Sequence, residues 1–101
     1  MRRSRFAELV ERQLDLFATD EAELLDEAKA ADTAWTESPR EETEERFGEY
    51  QLIVDVIADR LYDVRETYAS SLDDDVADEY RATFNRAATK RFRRFAALLE
   101  D

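Results

Sequence analysis

One glycine, Gly48, and one proline, Pro39, in 101 residues leave this chain with few means of turning tightly. Sandwiches and barrels reverse direction roughly every ten residues and draw on glycine and proline to do so. A chain so poor in both must run in long segments that satisfy their own backbone hydrogen bonds, and that means helices. The apolar residues agree. Phe6, Val10, Leu14, Phe17, Leu24, Ala28, Ala31 and Trp35 recur mostly at steps of three and four, the spacing of one buried helical face. A second stripe runs through Phe47, Tyr50, Val54, Ile57, Leu61, Val64 and Tyr68, and a third through Val76, Tyr80, Phe84, Ala87, Ala88, Phe92, Phe95 and Leu99.

The spacing predicts three long helices over about 3–36, 39–71 and 74–100, forming one all-α domain across residues 1–101. Short connections make neighbours antiparallel, so the expected architecture is an up-down-up bundle with heptad, coiled-coil-like packing. The first helix has an alternative break near 19–20, where Asp20 and Glu23 would form a capping box for a second segment. Continuity is favoured because Phe17 to Leu24 keeps the heptad phase. The second helix has a strong start signal: Ser38 as N-cap, Pro39 at the first helical position and Glu41 at the third. Asp73, Asp74 and Asp75 open the third helix, and Arg91, Arg93 and Arg94 fall near its negative end.

Charge narrows the partners. Against 26 acids stand 15 bases, a net charge of −11 that disfavours nonspecific nucleic acid or an anionic bilayer as the main partner. The absence of cysteine excludes a disulfide framework and a thiolate metal site, and no export signal or membrane-length apolar run is evident. The expected compartment is the cytoplasm. The bases are concentrated at the two ends: Arg2, Arg3 and Arg5, then Arg81, Arg86, Lys90, Arg91, Arg93 and Arg94 with no acid between 81 and 99. The expected topology lays the second group beside the acidic stretches 20–32 and 41–49, and the first group near Asp59, Asp63 and the aspartates at 73–75. Arg86, Lys90, Arg93 and Arg94 form a candidate basic face. The terminal basic segments would serve a nucleic-acid-associated protein if their arginines project away from the acidic bundle.

Leu52, Ile53, Val54, Val56 and Ile57 spread over more than one helix face, and a helix apolar on several sides must be covered on several sides. Leu52, Ile53 and Val56 are therefore candidate contacts of a homodimer. Catalytic options are few. The chain has no histidine, which excludes Ser–His and Cys–His nucleophile systems, and its single glycine excludes a phosphate-binding loop. Carboxylates remain. Asp55, Asp59 and Asp63 share a face at i, i+4 and i+8, a solvated acidic face that Arg2, Arg3, Arg5 or Arg60 would neutralise, or a site for a divalent cation.

Two groupings resemble known families over a few motif positions. Glu41-Glu42-Thr43-Glu44-Glu45 and Asp75-Val76-Ala77-Asp78 resemble the paired acidic motifs of the all-α nucleotide pyrophosphohydrolases of the MazG type, with Asp75 where that family has glutamate. The resemblance implies Glu41, Glu42, Glu45, Asp75 and Asp78 as ligands of magnesium positioning a nucleoside triphosphate. Arg2, Lys29, Arg40 and Glu41 match by spacing the anion-gripping residues of the three-helix chorismate mutases, although Ala18 stands where a further arginine belongs. Trp35 is expected to close the top of the core, Gly48 to mark a close helix approach or a bend, and the four tyrosines to sit at the core edge with hydroxyls in water. The leading expectation is a non-enzymatic helical interaction or assembly protein, a homodimer or a small subunit of a larger complex. The Mg-dependent hydrolase and the nucleic-acid-associated protein are its alternatives.

Overall fold

The computed structural model describes residues 4–93. It contains α1 (Ala7–Asp20), α2 (Ala22–Thr36), a 3-10 turn (Arg40–Glu42), α3 (Thr43–Ala69) and α4 (Asp74–Arg91), with no strand among the described residues. The protein is all-helical, with four helices where three were expected. The first helix begins at Ala7 rather than near 3, and the last ends at Arg91, where Phe92 leaves helical geometry at φ −119° and ψ 52°, rather than running on toward 100. Arg2, Arg3, Arg94, Phe95 and Leu99 lie outside the described residues.

The extra helix arises because one residue, Glu21, leaves helical geometry at φ −107° and ψ 26°. The flanking hydrogen bonds survive: the Glu21 N–H donates to the Phe17 carbonyl at 2.8 Å, and the Leu25 N–H to the Glu21 carbonyl at 2.9 Å. So small an interruption hardly disturbs the apolar spacing, and the spacing alone reads as one continuous helix. It does advance the stripe by one residue, and Leu25 rather than Leu24 becomes the fully buried leucine. The break also changes partners. α2 makes its most extensive contact with α3, whereas α1 packs on α4.

The start of α3 also departs from expectation. Pro39 is extended (φ −61°, ψ 154°) and precedes a 3-10 turn, and no side chain caps α3. The Ser38 hydroxyl is engaged elsewhere, donating to the Trp35 carbonyl at 2.8 Å to close α2 and touching the Thr43 hydroxyl at 3.2 Å. At the start of α4, Asp73 is extended and its carbonyl accepts the Ala77 N–H at 2.7 Å, but no side chain caps the helix. Asp74 and Asp75 favour this end through its dipole alone.

Ion pairs and ring contacts give the chain directions. Glu21 meets Arg60, and Trp35 meets Phe47 at 5.0 Å between ring centroids, so α2 and α3 are antiparallel. Tyr68 meets Tyr80 at 4.8 Å and Glu66 meets Arg81, so α4 reverses α3. Arg5 meets Glu79 and Asp15 meets Arg91, so α1 and α4 run parallel.

Val10, Leu14, Ile57, Leu61, Tyr80 and Phe84 are the large side chains almost wholly withdrawn from water. Burying each stabilises the fold by roughly 1.5–3 kcal/mol before conformational entropy is counted. Small side chains are buried as well, Ala28 on α2 and Ala58 on α3. Tyr80 contradicts the core-edge expectation. It has no exposed surface, its hydroxyl donates to Gln13 Oε1 at 2.8 Å, and its ring packs edge-on against Phe6. Phe47, by contrast, is 38% exposed at the rim of the Trp35 and Tyr50 cluster. Gly48 marks no close approach, because a Cβ there would meet nothing within 4 Å.

The molecule measures 50 × 27 × 25 Å, and its radius of gyration of 15.4 Å exceeds the value of about 13 Å typical of a compact chain of this length. Helix lengths explain the elongation. α3 has 27 residues and α4 has 18, hence about 40 Å against about 27 Å.

Candidate interaction site

α1 and α3 are held by α2 and α4 more than by each other, and a groove of about 560 Å³ opens between them. Leu16, Phe17, Val64 and Tyr68 supply its apolar lining, and Gln13, Asp20, Glu21, Arg60, Asp63, Thr67 and Ser71 its polar part. Leu16 is 61% exposed beside buried Phe17.

Steps of three and four carry the same side of α3 from Thr67 through Val64 and Arg60 to Val56 and Ile53, past the level of Arg60 where the groove lining and α1 both end. Two of the expected interface residues face solvent, Leu52 at 68% and Val56 at 39%, while Ile53 is half-buried against the core. From Leu52 to Ser71 this surface extends about 28 Å.

The groove is acidic. Arg60 is the one base among the described residues lining it, and its guanidinium is committed to Glu21 across the α2–α3 contact. A smaller cleft of about 480 Å³ beside it adds Glu23 and Glu27 around Leu24. Asp55, Asp59 and Asp63 are all exposed on α3, and Arg60, expected to neutralise them, turns to Glu21. Arg5 is likewise elsewhere, pairing with Glu79 at 2.9 Å.

On the other side, where the end of α4 meets α2, lies a second cleft of about 540 Å³. Ala18, Ala22, Leu25 and Phe92 form its apolar wall, with Lys29, Lys90, Arg91 and Arg93 set against Asp26 and Asp32. Arg91 pairs with Asp15, and Asp32 accepts the Trp35 indole N–H at 3.1 Å. Of the expected basic face, Arg86, Lys90 and Arg93 are exposed and make no ion pair with a described acid. Arg94 lies outside the described residues. Arg81 does not belong to that face, because it pairs with Glu66 and Asp78.

Periodicity alone does not reveal Arg65, which is 8% exposed inside the α3–α4 contact. Its Nε donates to Glu66 at 2.8 Å, its Nη1 to Asn85 Oδ1 at 2.8 Å, and its guanidinium stacks 4.8 Å from the Tyr62 ring centroid. Glu66 also accepts two hydrogen bonds from Arg81, both at 3.0 Å. Those Arg81 bonds, joined by Arg65 and opposed by burial, hold the Glu66 carboxyl below its ordinary value of 4.5. Every charge in this network has a partner, so it joins α3 to α4 and presents no unmatched group to a ligand.

The expected carboxylate ligands are not brought together. Glu41, Glu42 and Glu45 sit in the 3-10 turn and first turn of α3, whereas Asp75 and Asp78 open α4 beside the far end of α3. About 30 Å or more of helix separates the two sets. Among the described residues no three acidic side chains gather closely enough to hold a metal ion. Lys29 lies in the α2–α4 cleft, while Arg40 and Glu41 are exposed in the 3-10 turn, so the chorismate-mutase grouping does not share a pocket either.

No protein-family model, curated protein or solved structure matches the chain. No described helix is long and apolar enough to cross a membrane.

Proposed function

We propose that this chain is a non-enzymatic helical interaction protein, a small subunit of a larger assembly, that receives a partner helix along its α1–α3 face. The observation carrying this reading is the apolar groove at Leu16, Val64 and Tyr68, with exposed Val56 further along the same side of α3 and exposed Leu52 one turn beyond it. Exposed leucines flanking a preformed apolar channel lose water on docking, whereas leucines scattered singly gain little from a partner. A surface about 28 Å long accommodates an amphipathic helix of about 18 residues, the helix-in-groove mode of recognition.

Site-specific photo-crosslinking in the native host tests it. Crosslinkers at Leu16 and Val56 are expected to trap the same discrete product, absent from a crosslinker at exposed Ala82 on α4. Equal products from all three positions, or none, would remove the reading. Self-association through Leu52, Ile53 and Val56 is the competing arrangement. A dimer in sedimentation velocity that Leu52→Glu, at a 68% exposed position, converts to monomer would give the face to a second copy.

Exposure of Arg86, Lys90 and Arg93 supports a second reading, the binding of nucleic acid or an acidic partner. Absence of any complex with duplex or single-stranded nucleic acid at low salt would discard the nucleic-acid form of it.

A further inference from the structure

We infer that the helix received by the α1–α3 groove is basic, with lysine or arginine flanking its apolar stripe. This rests on the helix-receiving role proposed above and specifies the chemistry of the partner. Among the described residues the groove carries Asp20, Glu21 and Asp63 against one cation, Arg60, which Glu21 already neutralises. Glu23 and Glu27 continue the same sign past Leu24. What remains for an incoming helix is an apolar channel with unmatched negative edges.

Charge then selects among the occupants. Two copies meeting through this face in a two-fold dimer would set each acidic edge against its own kind, and like charges juxtaposed across an interface oppose association. A helix with acidic flanks meets the same penalty. Lysine or arginine at the flanks instead lays an aliphatic stem over the apolar margin and brings its cation to Asp20 or Asp63. Exposed pairs of this kind each change affinity by about two- to five-fold, and salt screens them, so they choose the partner while Leu16, Val56 and Val64 hold it.

Two labelled peptides of about 18 residues, one helix-length match to the groove, test this by fluorescence anisotropy with the full chain. Both share one leucine stripe; one has lysine and arginine flanks, the other glutamate. The basic peptide is expected to bind, to weaken as salt rises, and to lose at least about ten-fold in affinity on Leu16→Glu, an exposed position where the fold survives. Joint replacement Asp20→Lys and Asp63→Lys is expected to turn preference toward the glutamate peptide. Equal or better binding of the glutamate peptide by the wild type would overturn the basic partner and leave the helix-receiving groove intact. Binding of the basic peptide untouched by Leu16→Glu would show diffuse attraction to an acidic protein and overturn the site. Binding of neither peptide would overturn the groove as well, and self-association lost in Leu52→Glu would then assign the face to a second copy.

Discussion

Glu66→Ala is the perturbation whose consequence the structure specifies most fully. The substitution removes an acceptor that takes one hydrogen bond from Arg65 at 2.8 Å and two from Arg81 at 3.0 Å. Arg81 turns to Asp78, at 3.3 Å, and to water. Arg65 has less freedom to reach water, since its side chain is 10% exposed within the α3–α4 contact and stays held by Asn85 and the Tyr62 ring. Breaking a fully buried pair costs about 3–5 kcal/mol, and breaking an exposed one about 0–1. Glu66 is 27% exposed, so solvent screening places the loss between these limits, at about 2 kcal/mol. For a domain of this size that corresponds to a fall in Tm of roughly 8–16 °C. Because the folded-state carboxyl titrates below its unfolded value of 4.5, its contribution is complete above that pH and disappears as pH falls through the folded value. Urea denaturation of wild type and Glu66→Ala, followed by circular dichroism at pH 7 and in steps toward pH 3, therefore has a defined outcome. The gap should be full at neutral pH and close on acidification. A gap under about 0.5 kcal/mol at pH 7, or one constant across the range, would refute a coupled Arg65–Glu66–Arg81 lock.

Gly48→Ala should stabilise the protein by about 0.5–1 kcal/mol in thermal melts, since a methyl group there meets no neighbour and the helix gains propensity. Leu61→Ala should cost about 2–5 kcal/mol of unfolding free energy, whereas Leu52→Ala, 68% exposed, should change it by less than about 0.5. Burial raises the Tyr80 phenol to about 12. The stability carried by neutral Tyr80 should therefore be intact below pH 10 and lost as pH rises toward about 12; Tyr80→Phe should remove that component from an absorbance titration and flatten that part of the pH–stability curve.

The helices were legible because their cause is local. Val10, Leu14, Phe17, Ile57, Leu61 and Phe84 keep helical spacing, and scarcity of glycine and proline excluded the alternatives. The break at Glu21 was not, because a single residue can leave helical geometry while the hydrogen bonds on both sides persist. Ser38 misled for a similar reason: capping residues also close the preceding helix, and the short link let one hydroxyl serve Trp35 instead. Buried Tyr80 and Arg65 depend on Gln13, Asn85 and Glu66 from distant positions, which no periodicity reports. The candidate site was half visible. A helical wheel finds Leu52 and Val56 outside the core of α3, but the groove itself comes from the separation of α1 from α3, a property of packing. Short acidic motifs were the least reliable guide, since an acid-rich chain contains many and only folding decides whether they meet.

The parallel seam between α1 and α4 has a consequence for the order of assembly. α2 and α3 are separated by six residues and can zip together as a local hairpin at little entropic cost, whereas Arg5 must find Glu79 and Asp15 must find Arg91 across more than seventy positions. Hairpin docking therefore precedes closure of the seam. Denaturant should reverse the sequence, releasing α1 from α4 first and leaving Trp35 against Phe47 until the end, an order that amide exchange along the chain would read directly.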